Sequence, residues 1–256
     1  MVKHGKTART GLARALSKLG YCSRSDASKL ISDGRVRLNG ISVRNPEQPV
    51  FLSRDQIEVD GQRIDAPRKI YLAMNKPRGI VTTARDERQR ETVYSLLPNN
   101  YRWVAPVGRL DKASEGLLFL TNDSAWAAVI TAPESHVGKT YHVQIVQADQ
   151  SLFDPFLAGV SDSGELLKAK SASILRRGQK NCWVEIVLDE GKNRHIRRMF
   201  AALNIPVLRL VRVAIGEVRL GSLAKGEVRH LTQQEVTALN QIGRQPQPSQ
   251  SRSSRL

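Results

Sequence analysis

Between Val107 and Asp123 the chain passes from a polar, glycine-bearing turn into an unbroken apolar run, Leu117–Leu120, closed by Thr121-Asn122-Asp123. A short apolar run between turn residues predicts a buried strand. The loop before it therefore leads into a core, and Asp111 sits on that loop. A carboxylate there is either satisfied by its neighbours or held for chemistry. Taken alone, Asp111 reads first as a loop aspartate that accepts backbone N–H groups or caps a turn. The second reading is a nucleophile or general base paired with a nearby arginine.

A chain of 256 residues suggests one large or two small domains, and 40% hydrophobic content can fill a core. The formal charge of +16 favours phosphate polyanions as partners. That charge is concentrated: residues 1–44 carry ten Lys/Arg against Asp26 and Asp33, a net +8. Cys22 and Cys182 make neither a disulfide framework nor a zinc cluster, so a reduced cytoplasm is the expected compartment. The five histidines, His4, His136, His142, His195 and His230, lack the close spacing of a metal site. No apolar stretch approaches the roughly 18 residues of a membrane span, and no signal core follows the basic start.

Residues 1–10 read as a flexible basic arm. Residues 11–65 read as a compact module. Leu12, Ala15, Leu16 and Leu19 repeat at helical spacing up to Gly20, and Ser23 with Asp26 predicts the cap of a second helix. Arg35–Leu38, Asn39-Gly40 and Ile41–Val43 predict a hairpin with a two-residue turn, and Gln56–Val59 a further strand. The module is too small for an enzyme cleft, so binding is its expected role. Ala66–Lys69 reads as a linker into a second domain, 66–242. There strands are expected at Ile70–Met74, Ile80–Thr83, Lys139–Val143, Cys182–Leu188, Val207–Val213 and Glu217–Leu220. Helices are expected at Thr92–Leu97, Ser124–Thr131, Asp149–Gly159, after Glu190, and at Leu231–Ile242. His195 reads as an exposed helix histidine. Gly138-Lys139-Thr140 is not a P-loop tail, since Pro133 stands where that motif needs glycine. Residues 243–256, rich in Gln, Ser, Pro and Arg, read as a disordered tail.

Four stretches resemble one family in order. Gly108, Arg109, Leu110, Asp111, Ser114, Gly116, the run Leu117–Leu120, Thr121 and Asn122 fit the signature of bacterial ribosomal-RNA pseudouridine synthases of the small-subunit type and their large-subunit relatives. Lys76, Pro77 and Gly79 match the family's Lys-Pro-x-Gly turn. Lys139, Tyr141 and Val143 match its Lys-x-Tyr-x-Val strand, and Glu190–Phe200 its third cleft motif. The N-terminal module resembles the alpha-L RNA-binding motif, with Ser-Arg, Gly-Arg-Val and Asn-Gly in place.

The resemblance implies an α+β fold: a small N-terminal alpha-L RNA-binding module, then a synthase domain on a mixed, mostly antiparallel sheet. It implies site-specific isomerisation of uridine to pseudouridine in ribosomal RNA, without a cofactor, by a cytoplasmic monomer that does not touch membranes. Asp111 is then the catalytic residue, Tyr141 packs on the target base, and Arg197 is the cationic partner of Asp111. Arg24, Lys29, Arg35 and Arg37 present charge to RNA from the module, and Lys76, Arg109 and Arg194 do so near the cleft. Two other classes remain open on the sequence: a binding factor for ribosome assembly with a vestigial synthase domain, and a glycosidase-like hydrolase. The second is weakened because one well-placed carboxylate emerges where glycosidases usually need two.

Overall fold

In the computed structural model, which describes residues 9–65, 69–83, 86–98, 101, 103–146 and 149–242, Ser23 Oγ accepts the Asp26 backbone N–H at 3.1 Å and caps the helix Arg24–Ser32. The preceding helix Leu12–Lys18 buries Leu12, Ala13, Ala15 and Leu16, and the chain leaves it through Gly20 at φ 69°. Asn39-Gly40, at φ 52° and 81°, joins the strands Val36–Leu38 and Ile41–Val43. Asp60-Gly61, at φ 52° and 78°, does the same for Ile57–Val59 and Gln62–Arg63. Two successive positive φ values make the turn whose twist suits a hairpin. Period-2 alternation then aims Val36, Leu38, Ile57 and Val59 at the inner faces of both helices. These elements belong to one of two compact units, Met1–Tyr71 with Leu97–Pro106 and Leu120–Ser124. The expected arm, linker and tail lie chiefly at 1–8, 66–68 and 243–256, outside the described residues.

The second unit is built on a nine-stranded sheet. Its main path runs Ser171–Arg177, Asn181–Leu188, Lys139–Val146, Arg209–Ile215, Glu115–Thr121, Tyr71–Lys76 and Val228–His230. The pairing is mixed and mostly antiparallel; Arg209–Ile215 runs parallel to Glu115–Thr121. Val143, Ile145, Cys182, Val184, Ile186 and Leu188 form the apolar face of neighbouring strands. Phe156 and Phe200 pack on it edge to face, 4.8 Å between ring centres, and bring in the helices Asp154–Ala158 and His195–Ala202.

Four differences from the sequence reading have local causes. Ile80–Thr83 makes a single bridge, Val81 to Thr92, and no strand, because Thr82 is drawn into side-chain bonding with the loop at Leu110. Thr92–Leu97 gives one 3₁₀ turn, Val93–Leu96. The hairpin Val160–Asp162/Glu165–Leu167 and the strand Ser171–Arg177 are not legible in the sequence, since their exposed, polar-rich residues lack a clean apolar alternation. His195 is 3% exposed, not on the helix surface, because the helix enters the core at its first turn. Among the described residues no helix is long and apolar enough to cross a membrane.

All seven residues of Glu115–Thr121 are buried. Glu115 tolerates burial because Arg209 Nε and Nη2 donate to its two oxygens at 2.8 and 3.0 Å and Lys225 lies at 2.9 Å. Gly116 sits at φ 103° opposite Arg212, and a Cβ there would run into the Arg212 backbone. Gly116→Ala therefore combines positive-φ strain with a steric clash in a packed sheet. It should cost about 3 kcal/mol or more, read as a lowered urea midpoint; an unchanged midpoint would show that the two strands can move apart freely.

Candidate active site

The loop between Arg109 and the buried strand has its backbone fastened at five successive carbonyls. Thr82 Oγ1 donates to Leu110 O at 2.8 Å. Lys76 Nζ donates to Asp111 O at 3.2 Å and to Ser114 O at 2.9 Å. The Gly79 N–H donates to Lys112 O at 2.8 Å, and Arg197 Nη2 to Ala113 O at 3.0 Å. The loop's own turn closes with the Ser114 N–H on Asp111 O at 3.0 Å. Its backbone is thus held by two other stretches of chain, 76–82 and the helix that carries Arg197.

The Asp111 side chain is treated differently. Its carboxylate is half-buried and, among the described residues, accepts no hydrogen bond. An aspartate kept to cap a turn would accept backbone N–H groups. Asp111 instead lines a cavity of about 620 Å³ together with Gly108, Arg109, Tyr141, Arg194 and Arg212.

Lys76 lies behind the loop and not on an RNA-facing surface as expected. It is 0% exposed, and its ammonium donates to Pro77 O as well as to the two loop carbonyls. Three acceptors occupy its three N–H bonds, which leaves nothing for an RNA phosphate. Burial holds the ammonium down to about 8, although the Asp111 and Glu115 carboxylates pull it up and Arg212 pushes it further down.

Arg197 is half-buried on the helix His195–Ala202. Its guanidinium donates to Ala113 O and, at 3.5 Å, to Val207 O. It therefore meets Asp111 through the loop backbone and through its charge, without a direct hydrogen bond among the described residues. Burial chiefly, with Arg194 and Arg78, lowers its hold on the proton, and the Asp111 charge restores part of it. Arg194 is exposed in the left-handed region at φ 50°, just before the helix. Arg109 is exposed on the rim of the same cavity. Tyr141 is half-buried on the strand Lys139–Val146, on the face that packs the core, opposite Ile186 and Arg212 in the two flanking strands.

Two cavity residues have no role in the sequence reading. Arg212 is 5% exposed. A signal for it exists: an arginine at an inward position of Arg209-Leu-Val-Arg-Val-Ala-Ile215 breaks the apolar face. Lys139 belongs to the Lys-x-Tyr-x-Val motif, which by itself marks a strand and not a charge in a cavity. In the N-terminal unit Arg24, Lys29 and Arg37 are exposed, while Arg35 is held by Asp60 through Nε at 2.8 Å and Nη2 at 2.5 Å.

A family model described as RNA pseudouridylate synthase matches residues 70–202, and an S4 domain model matches residues 10–50. A protein described as an uncharacterized RNA pseudouridine synthase of Rickettsia conorii is 37% identical over 221 residues, covering 86% of this chain and 95% of that one. Ribosomal large subunit pseudouridine synthase B of Bacillus subtilis is 32% identical over 234 residues, covering 90% of this chain and 96% of its own. A crystal structure of a pseudouridylate synthase superposes with a TM-score of 0.63 at 30% identity, covering 90% of this chain and 99% of that one.

The Lys76 anchor is testable. Lys76→Met keeps the bulk and strips three carbonyls of their donor, at about 1–3 kcal/mol for each group left unsatisfied. Tm should fall, and turnover should fall further than the lower stability explains, with RNA affinity kept. Turnover of the natural protein should also decline above pH 8, where the ammonium gives up one of its three N–H donors. A Met variant with unchanged Tm and turnover would show that the ammonium is not the anchor.

Proposed function

Because this chain belongs to the RNA pseudouridylate synthase family, isomerases that act on RNA, we propose that its substrate is ribosomal RNA and that Asp111 is the reacting carboxylate. The observation that carries this reading is a contrast within one loop: five fastened carbonyls, and a carboxylate that accepts no hydrogen bond among the described residues, at the wall of a nucleotide-sized cavity. The ribosomal assignment is supported by the large-subunit activity in the name of the Bacillus subtilis relative and by the S4 domain.

The reaction breaks the bond between uracil N1 and the ribose C1′. The base turns within the cavity, C5 bonds to C1′, the C5 proton leaves, and N1, freed of the sugar, takes up a proton. A base inside a helix is out of reach, so the target uridine is taken unpaired or flipped out. Asp111 serves by attacking the nucleotide covalently or by removing a sugar proton. Either route uses the carboxylate oxygens that no neighbour occupies among the described residues. Arg197 acts as a positioning residue, since it holds the carbonyl two residues beyond Asp111. Tyr141 offers the detached base a ring to stack on, for roughly 1–3 kcal/mol. Arg109 and Arg194 on the rim meet phosphate, and Arg24, Lys29 and Arg37 do so from the S4 domain, where Arg35 is engaged by Asp60. The protein acts in the cytoplasm as a monomer, with no cofactor.

Two measurements test this. Asp111→Asn keeps the shape and removes the charge. Tritium release from 5-tritiated uridine in RNA should drop at least about 100-fold, with RNA affinity within a few-fold; near-normal release would end the assignment. Mapping pseudouridines in ribosomal RNA of a strain lacking the protein should reveal a missing site, and an unaltered map would remove ribosomal RNA as substrate. For the S4 domain, replacing Arg24, Lys29 and Arg37 by Gln should flatten the dependence of log affinity on log salt by up to about 0.7 for each phosphate that is no longer neutralised. Turnover at saturating RNA should hold, and an unchanged salt slope would exclude these three from the RNA-binding surface.

A further inference from the structure

The cavity beside Asp111 has a cationic floor to which the isomerisation as described assigns no task. Arg212 reaches across from its own strand, where Nε donates to Leu117 O at 2.7 Å. Its Nη2 is buried and, among the described residues, has no partner. The side chain lines the cavity. Lys139 lines the same cavity half-buried, and its ammonium makes one long bond, 3.4 Å, to Ile130 O. The acid on that wall, Glu190, is engaged by Lys192 at 2.9 Å. Of the two acids that line the cavity, Glu190 is thus engaged and Asp111 is the carboxylate assigned to the reaction, so neither makes an ion pair with Arg212 or Lys139 among the described residues. The proton affinity of Lys139 reflects this: burial first and then the Arg212 charge push it down to about 8, against the pull of Asp189.

A buried guanidinium with an empty N–H is costly unless something arrives to meet it. We propose that Arg212 and Lys139 form the subsite for the RNA phosphodiester that flanks the target uridine. The proposal rests on Asp111 being the reacting carboxylate. With the ribose over Asp111, the phosphates of the same nucleotide lie within a few bonds of it, so one of them must run along the cavity wall. A phosphodiester matches the site in both respects that matter. It carries the one negative charge that two neighbouring cations lack, and its paired oxygens suit the planar fork of an arginine. A uracil carbonyl would satisfy the Nη2 hydrogen bond but leave both charges uncompensated. Gly116 completes the site: without a Cβ it lets the Arg212 backbone come close to the strand that carries Leu117. The arginine is thereby held at a fixed depth below the loop of Asp111.

The test follows kcat/KM against salt concentration, by tritium release from 5-tritiated total RNA of a strain lacking the protein. Total RNA contains the substrate whichever class it belongs to. Arg212→Gln and Lys139→Gln should each lower kcat/KM at low salt at least ten-fold. Each should also flatten the plot of log kcat/KM against log salt by about 0.7, the slope that one neutralised phosphate of a single strand contributes. Arg212→Lys keeps the charge and should keep the natural slope. If Arg212→Gln does not fold, Lys139→Gln and Arg212→Lys decide the matter. A lowered kcat with the natural slope would assign the pair to the base instead, and a lowered Tm with natural slope and kcat would make Arg212 purely structural; either result overturns the proposal. Failure of the underlying reading is separate, because it appears as turnover surviving Asp111→Asn whatever the slopes.

Discussion

A single buried ammonium ties the candidate site together. Lys76 ends the strand Tyr71–Lys76, is closed off from solvent, and gives its three N–H bonds to the carbonyls of Pro77, Asp111 and Ser114. Moving an ammonium out of water costs several kcal/mol, and charge-assisted bonds to three carbonyls offset part of that cost. The exchange yields a loop that cannot drift. A reacting carboxylate displaced by an ångström loses much of its catalytic value, so in the role proposed for Asp111 the rigidity of its loop matters as much as the charge. Lys76 and Arg197 also place positive charge behind the loop without neutralising Asp111 through direct hydrogen bonds.

The sheet beneath works by close approach. The strand Glu115–Thr121 is buried along its whole length, which a parallel neighbour on one side and covering side chains on both faces make possible. Gly116 allows the neighbouring strand to approach, and that strand delivers Arg209 to Glu115 and Arg212 to the cavity. One glycine thus couples the packing of the core to the electrostatics of the site. Helix His195–Ala202 works in a similar way: Met199 and Phe200 bury its inner side, Arg197 reaches the loop of Asp111, and Arg198 binds Asp162 and Glu165 of the hairpin that packs beside it.

Local patterns made much of this legible. The capped helix at Ser23, the Asn39-Gly40 hairpin and the apolar run at Leu117–Leu120 each depend on residues a few positions apart, and each stands where the sequence predicts it. Family motifs identified the chain's class. The hairpin from Val160 and the strand Ser171–Arg177 escaped, because exposed strands carry little periodicity in their own residues and the partner of Ser171–Arg177 is set by sheet register.

The residues also determined, by themselves, that a carboxylate at Asp111 would sit on a loop entering a buried strand, since turn chemistry and an apolar run are local facts. The charge of the first 44 residues belongs to the sequence in the same sense. Tertiary structure alone decided what surrounds that carboxylate. Lys76 became an internal anchor instead of a surface cation because two carbonyls from a loop 35 and 38 positions away converge on it. His195 went into the core, and Arg212 took a place below Asp111, because strand register and helix packing fix burial through partners remote in the chain. A titratable side chain's role follows from its solvent and its neighbours, and neither is written in the residues beside it.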